Sequence, residues 1–453
     1  MKVAFHTLGC KVNQYETEAL KEKFSLKGYF VVDEKDFADI YVINTCTVTS
    51  LADRKSRQYI RKMKKVNPAS IVAVTGCYAQ IRPDEVASID EVNLVAGTNE
   101  KGRLVEYIEE YILMDSKFTE CHVRLYEELT EYEETGIITS MEGKTRAYIK
   151  IQEGCNRFCS YCIIPYARGP VRSRALGEII EEAKTLIEKG FKEIVLTGIN
   201  TALYGSEQVL ENSGVGSAVN LGVDSGVEQI IKELNNMEGE FRIRLSSLEP
   251  TVVNKEYVQR LLKYDKLCHH LHLSIQSGSN KILKTMNRKY TREDYMEIVE
   301  LLRSFDKSYG ITTDIIAGFP GETEEDFVDS LEIIQEAGFC KVHAFKYSKR
   351  EGTAAAGMKL PVSPEMKNRR SERLIAEGKK SVEEFFRGCI GETRVVLTEN
   401  IENGMITGYT DNYVKAYIDS NDNELLNKFI KVKITGLYKD GVIGLIKDGV
   451  KGE

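Results

Sequence analysis

The stretch EGCNRFCSYC gathers Cys155, Cys159 and Cys162 with spacing x3 then x2, and no fourth cysteine stands nearby. A structural zinc site closes with four ligands, and so does an ordinary iron-sulfur cluster. Zinc would need a fourth Cys or His in register, whereas His122 and His269 lie far off in sequence. Three cysteines on one loop instead suit three corners of a 4Fe-4S cube, with the fourth iron left to a ligand that is not protein. Upstream, the apolar runs KVAFHTLGC, DIYVINTC and SIVAVTGC end in Cys10, Cys46 and Cys77. Each is followed by a helical pattern. Alternating strands and helices imply a doubly wound parallel sheet, whose ligands gather outside the carboxyl ends of the strands. The three cysteines should therefore face one crevice, although a free cysteine taken singly is often a core residue.

These residues need a scaffold, and the chain is long enough for several domains: 453 residues exceed one ordinary core. Residues 1–124 read as the N-terminal α/β domain, and the acidic stretch 125–143 as a solvated linker. A second alternating block occupies 144–376, with candidate strands TRAYIKIQ, KEIVLTGIN, FRIRLSSLEP, HLHLSIQSGS, TTDIIAGFPGE and KVHAFKYS. Between them lie helical patterns such as LGEIIEEAKTLIEKG, where Ile179, Ile180, Ala183, Leu186 and Ile187 recur at helical spacing before Gly190. Six such units predict a partial (β/α)6 barrel with its chemistry at the strand carboxyl ends. The stretch from Ser206 to Gly226 has neither period and is expected to be a surface loop. Short β-type runs within 388–453, separated by Asn, Asp and Gly turns, predict a small OB-like β-barrel of a kind that commonly binds RNA.

Composition sets the compartment. With 42% hydrophobic and 29% charged residues and no long apolar run, the chain reads as soluble and cytoplasmic, without a signal peptide or membrane span. Its 10 cysteines should then be reduced, which favours metal ligation over disulfides. A net charge of -7 argues against nucleic-acid binding by the whole chain, so any such contact must be local. Basic residues concentrate in ADRKSRQYIRKMKK (Arg54, Lys55, Arg57, Arg61, Lys62, Lys64, Lys65) and in ARGPVRSR (Arg168, Arg172, Arg174). The second run directly follows the cysteine loop and is the expected substrate contact.

The CxxxCxxC loop, with Tyr161 just before its last cysteine, resembles the signature of radical S-adenosylmethionine enzymes. The resemblance implies that the methionine amino and carboxylate groups of S-adenosylmethionine chelate the fourth iron, and that cleavage of its C–S bond yields a 5′-deoxyadenosyl radical. It also implies cofactor contacts from other strand ends: Ser247 and Glu249 of SSLEP, Gln276 and Ser277 of IQSGS, and Asp314, Gly318 and Glu322 of DIIAGFPGE. Singly, each of these has an equal reading as a cap or turn residue.

Over nearly the whole chain, LGCKVNQYETE, INTCTVT, VTGCYAQ, EGCNRFCSYCIIPYARG, LTGIN, LSSLEP, LHLSIQSGS and IAGFPGET resemble the methylthiotransferases of that superfamily. The family resemblance implies a second, auxiliary 4Fe-4S cluster on Cys10, Cys46 and Cys77, a terminal TRAM domain that binds RNA, and two S-adenosylmethionine molecules per turnover. An electron donor such as flavodoxin or ferredoxin and a sulfur source are implied as partners. GCKVNQYETE resembles the branch acting at C2 of N6-threonylcarbamoyladenosine beside the anticodon of tRNA, with Lys11, Asn13 and Gln14 as candidate substrate contacts. Isopentenyladenosine in tRNA and an aspartate of a ribosomal protein are the alternatives within the family. An electron-transfer protein or a non-catalytic RNA-binding module are the alternatives outside it.

Overall fold

The computed structural model describes residues 1–136, 138, 145–207, 226–250 and 254–447. The expected loop from Ser206 to Gly226 lies outside the described residues except for its ends. Among the described residues no helix is long and apolar enough to cross a membrane.

The N-terminal region is a parallel sheet of β1 (Lys2–Thr7), β2 (Phe30–Val32), β3 (Ile40–Thr45), β4 (Ile71–Gly76), β5 (Leu94–Ala96) and β6 (Glu120–His122), in the order β2-β1-β3-β4-β5-β6. All six residues of β3 are buried, as expected for a strand covered by helices on both faces. The strand order reverses between β1 and β3, the place where doubly wound sheets bind ligands. Cys10 follows β1, Cys46 follows β3 and Cys77 follows β4, so three adjacent strands deliver their cysteines to one edge.

The central region contains β7 (Arg146–Glu153), β8 (Arg172–Ser173), β9 (Glu193–Gly198), β10 (Arg242–Leu245), β11 (Ser247–Leu248), β12 (His270–Leu273), β13 (Gly310–Ala317) and β14 (Lys341–Lys346). They form two hydrogen-bonded sheets, β10-β9-β7-β8 and β11-β12-β13-β14, joined by a single parallel bridge from Ile243 to Leu267. Six parallel strands, four to eight residues each, with helices outside make the expected partial barrel. The helix Leu176–Glu188 buries Ile179, Ala183 and Leu186 against it.

A single helix, Pro364–Gly388, capped by Ser363, runs through the interval left between the second and third expected units. It leads into β15 (Thr393–Glu402), β16 (Met405–Thr410), β17 (Lys415–Ile418), β18 (Phe429–Tyr438) and β19 (Gly441–Ile446), a closed barrel in the order β15-β16-β17-β19-β18. This small barrel docks tightly on the central one. A Cβ on Gly310 would stand 2.1 Å from the Asn412 carbonyl oxygen, so only glycine permits the approach. Arg394 clamps Asp306 with bonds of 2.7 and 2.8 Å.

The junction of the N-terminal and central regions is built from buried charge. Arg168 is wholly buried and donates to Glu16, to Glu153 (3.1 Å) and to Asn13. Lys101 and Lys150 also pair with Glu16. Burial alone would push the Glu16 carboxyl up; Arg168, Lys101 and Lys150 hold it well below the usual carboxylate range. Buried ions persist only when paired in this way.

The run ARGPVRSR, expected above to contact substrate, is instead turned into this junction. Arg172 donates to Asn99 (2.9 Å) and to the Arg168 carbonyl (2.6 Å), Arg174 pairs with Glu182, and all three arginines are buried. Partners distant in sequence claim their charge. Nor is the stretch after Leu125 a solvated linker. Leu129 and Ile138 are buried, and Tyr132 donates to the Lys150 carbonyl, so its described residues form a strap across the junction.

Replacing Arg168 by Met should leave Glu16 and Glu153 short of a partner and destabilise the fold by about 3–5 kcal/mol. Urea unfolding measures this. Adding Glu16→Gln to that variant should recover part of the loss, because one uncompensated charge is then removed.

Candidate active site

The cysteine loop is held from both ends. After β7, Gly154 has φ +73°, and a Cβ there would fall 1.7 Å from the Pro170 carbonyl oxygen. The Cys155 amide donates to the Gly169 carbonyl (3.1 Å), the Ser160 amide to the Met286 carbonyl (3.0 Å), and Asn287 donates to the Phe158 carbonyl (3.1 Å). These bonds present all three thiols to one cavity of about 230 Å³, lined also by Arg157, Tyr161, Asn200, Ser247, Glu249 and Gln276, with Arg288 and Asp314.

The cavity's polar groups are mutually fixed. Glu249 accepts from Asn200 (2.9 Å) and pairs with Arg157 (2.9 Å) and Arg288 (3.0 Å). Arg288 also donates to the Tyr161 hydroxyl (2.6 Å). Asp314 accepts from Ser274 (2.8 Å) and meets His272 at 3.1 Å. Burial pushes the Cys155 thiol up to about 12 and raises Cys159 and Cys162 as well. Buried neutral thiols are poor nucleophiles; a metal that binds them must displace their protons.

The second triad lies at the crevice of the N-terminal sheet. Cys10 is exposed and precedes the helix Lys11–Leu26, whereas Cys46 and Cys77 are buried. Burial raises the Cys46 thiol to about 12, with Cys77 and Cys10 adding to the shift as near neighbours. Arg168 donates to the Cys77 sulfur at 3.2 Å. Three thiols gathered beside a buried cation form a donor set suited to an iron-sulfur cluster with an open corner. Among the described residues no group of three or more His, Cys, Asp or Glu side chains is preassembled to hold a metal ion, the two triads included, so the fit to a cluster rests on the type and placement of the donors. The histidines that a zinc site would need are engaged elsewhere: His122 stacks on Tyr107 at 3.9 Å, and His269 meets Asp306 at 2.7 Å.

A larger cavity of about 640 Å³ reaches Cys10 of the N-terminal triad and borders the cavity of the other. Cys10, Lys11 and Gln14 line it from the N-terminal region and Tyr413 from the small barrel. Ile164, Ile199, Ser247 and Asp314 line both this cavity and the smaller one.

Four candidate contacts lie elsewhere. Asn13 is buried, donating to the Leu8 (2.7 Å) and Thr45 (3.0 Å) carbonyls. Ser277 is buried against Ser330. Glu322 accepts from the Gly318 amide (2.8 Å) and pairs with Arg370 (2.7 Å), so Gly318 and Glu322 shape the turn after β13 and line neither cavity. Sequence reasoning missed Arg157, Asn200 and Arg288 beside the cysteine loop, and His270, His272 and His343 in the larger cavity. The period-two alternation of HLHL already places His270 and His272 on one face of a strand.

The chain is similar to known proteins along most of its length. The profile of the radical SAM superfamily matches residues 149–334, and that of the uncharacterized protein family UPF0004 matches residues 2–97. The threonylcarbamoyladenosine tRNA methylthiotransferase MtaB of Bacillus subtilis (strain 168) is 42% identical over 442 residues, 95% of this chain and 93% of that protein. Its namesake from Aquifex aeolicus (strain VF5) is 42% identical over 423 residues, 91% of this chain and 96% of that protein. The tRNA-2-methylthio-N(6)-dimethylallyladenosine synthase of Alkaliphilus oremlandii (strain OhILAs) is 36% identical over 447 residues, 96% of this chain and 90% of that protein. Among solved structures, the radical S-adenosylmethionine methyltransferase TsrM from Kitasatospora setae shares the fold, with a TM-score of 0.56 at 14% identity over 90% of this chain and 77% of that one. On the strength of the relatives that match along nearly its whole length, the chain belongs to the radical S-adenosylmethionine methylthiotransferase family.

Proposed function

We propose that this protein inserts a methylthio group at C2 of N6-threonylcarbamoyladenosine beside the anticodon of tRNA. The observation that carries the reading is the shared chamber: one cavity wall holds Cys10 of the first triad, and four of its residues also line the cavity of the second. The relatives at 42% identity bear the matching name. When bound, a 4Fe-4S cluster at Cys155, Cys159 and Cys162 with S-adenosylmethionine supplies a 5′-deoxyadenosyl radical, and an auxiliary cluster at Cys10, Cys46 and Cys77 holds the sulfur to be inserted.

The protein's own residues provide placement and dryness. Glu249, fixed by Arg157, Arg288 and Asn200, offers a rigid acceptor to the cofactor's amino or ribose groups. Ser247, Gln276 and Asp314 line the same cavity and serve as further cofactor contacts. Ile164, Ile199 and Leu245 give the chamber an apolar wall that shields a radical intermediate. A reductant and a sulfur source complete the reaction from outside the chain; flavodoxin or ferredoxin fits the first role.

The small C-terminal barrel of β15 to β19 acts as the RNA-binding unit in this reading. Along β18 the exposed Lys431 and Lys433 alternate with buried Val432 and Ile434. Arg54, Lys55, Arg61, Lys62 and Lys65 are exposed on the helix Ser50–Val66 and add a second basic surface. Arg57 and Lys64 are held by Glu85 and by the Ser70 carbonyl, respectively.

Cys159→Ala should abolish 5′-deoxyadenosine release under dithionite, whereas replacing Cys10, Cys46 and Cys77 together should remove about half the iron and stop methylthio transfer but leave that release largely intact. Iron assay and nucleoside chromatography read both. Unchanged iron in the triple variant would return those cysteines to the core.

Expression in a host lacking the modification should make 2-methylthio-N6-threonylcarbamoyladenosine appear in the mass spectrum of its tRNA nucleosides. Methylthiolated isopentenyladenosine alone, or methylthio-aspartate on a ribosomal protein, would overturn the substrate and leave the enzyme class standing.

Lys431→Glu with Lys433→Glu should weaken tRNA binding and reduce its salt slope by about one to two units, as expected for two lost phosphate contacts. Fluorescence anisotropy across a salt series measures this.

A further inference from the structure

The larger cavity has a polar wall that neither cysteine triad uses. Three of the chain's six histidines, His270, His272 and His343, line it together with Lys11 and Lys341. The one carboxylate among its described lining residues is Asp314, already engaged by His272 and Ser274. Nearby Glu193 is consumed by Arg242 (2.6 Å) and Arg244 (2.8 Å). Among the described residues, neither Lys11 nor Lys341 has a carboxylate partner. With two lysines against the single Asp314 carboxylate, the wall carries an excess of positive charge.

Two buried atoms point the same way. His270 is 4% exposed; its Nε2 meets Thr312 at 3.2 Å, but its Nδ1 has no partner. Ser246, 5% exposed and lining the same cavity, has an unpartnered hydroxyl. Buried polar atoms are nearly always hydrogen-bonded, so two orphans beside one cavity call for a ligand that satisfies them. Burial, with Arg244, His272 and Lys11 nearby, keeps His270 neutral, and burial also lowers His343. Neutral imidazoles donate one hydrogen bond each, and the lysines supply the charge, with burial drawing the Lys11 ammonium down from its usual value.

Resting on the substrate reading above, we propose that Lys11, Lys341, His270, His343 and Ser246 form a carboxylate-recognition subsite that selects the threonyl side chain of the modified base. A carboxylate with an adjacent hydroxyl matches two cations and the two unfilled hydrogen-bond positions. An isopentenyl tail would leave all of them desolvated and unpaired. Such mismatches discriminate strongly, since a site built for a polar group rejects the analogue that lacks it.

The test uses the reconstituted full chain and three anticodon stem-loop RNAs: one with N6-threonylcarbamoyladenosine, one with its carboxylate converted to the primary amide, and one with isopentenyladenosine. Wild-type protein should bind the acid about tenfold to a hundredfold more tightly than the amide by anisotropy, with the same ratio in KM. Lys341→Met, remote in sequence from either triad, and Lys11→Met should each reduce that ratio towards one. A folding or cluster defect would instead weaken both RNAs alike and leave the ratio in place, a result that overturns the subsite. Equal wild-type binding of acid and amide, with the acid RNA still methylthiolated, overturns the subsite alone. Methylthiolation of the isopentenyl RNA only would remove the substrate reading and the subsite together.

Discussion

A single buried guanidinium ties the two halves of the catalytic chamber together. Arg168 ends the short helix after the cysteine loop, and its side chain reaches Glu16 on the helix that Cys10 begins, Glu153 just before Gly154 and Cys155, and the sulfur of Cys77. Arg suits this position because its donors are fixed in a planar fork and its charge persists without water. The cost of burying it is offset only while every partner stays in place. The spacing between the triads is thus set by an ion cluster intolerant of sliding, and the proposed methylthio transfer needs such a spacing, because on that reading a radical site and a sulfur carrier must meet over one carbon.

Local pattern made much of this legible in the sequence. The spacing of Cys155, Cys159 and Cys162 needs one loop, and the apolar runs before Cys10, Cys46 and Cys77 need only strand ends on a parallel sheet. The five runs of the terminal barrel are separated by turns that chemistry alone identifies. What was hidden depends on pairing over long distances. Arg168 and Glu16 are 152 positions apart, and a cation in a run such as ARGPVRSR reads as solvated until its carboxylate is found. Tyr132 and Leu129 likewise sit in an acidic segment whose composition suggests water, but the junction supplies them with a surface to cover.

The histidines illustrate the intermediate case. Alternation puts His270 and His272 on one face of β12, which sequence can state. That this face looks into the chamber, and that His343 of β14 joins it across β13, follows only from the order β12-β13-β14. Strand order converts separate polar residues into a wall with a net charge.

The terminal barrel takes part in the chamber as well as standing beside it. Arg244 of β10 donates to the Asp411 (3.2 Å) and Thr410 (3.3 Å) carbonyls, Arg242 to the Tyr409 carbonyl (3.0 Å), and Asn412 to the Ser308 carbonyl (2.8 Å). The same turn carries Tyr413, whose ring packs at 4.6 Å from His270 and lines the cavity. A barrel tethered only by a linker could grip RNA without constraining where a base arrives. One whose turn forms the chamber wall holds its own surface in fixed register with the site. Bases in single-stranded loops are already available for extrusion and stacking on aromatic side chains, so a rigid grip on the backbone can translate directly into placement of one base. On the proposed function, binding through β18 and chemistry beside Cys10 are two ends of one rigid path, and its middle is the docking of Asn412 against Gly310.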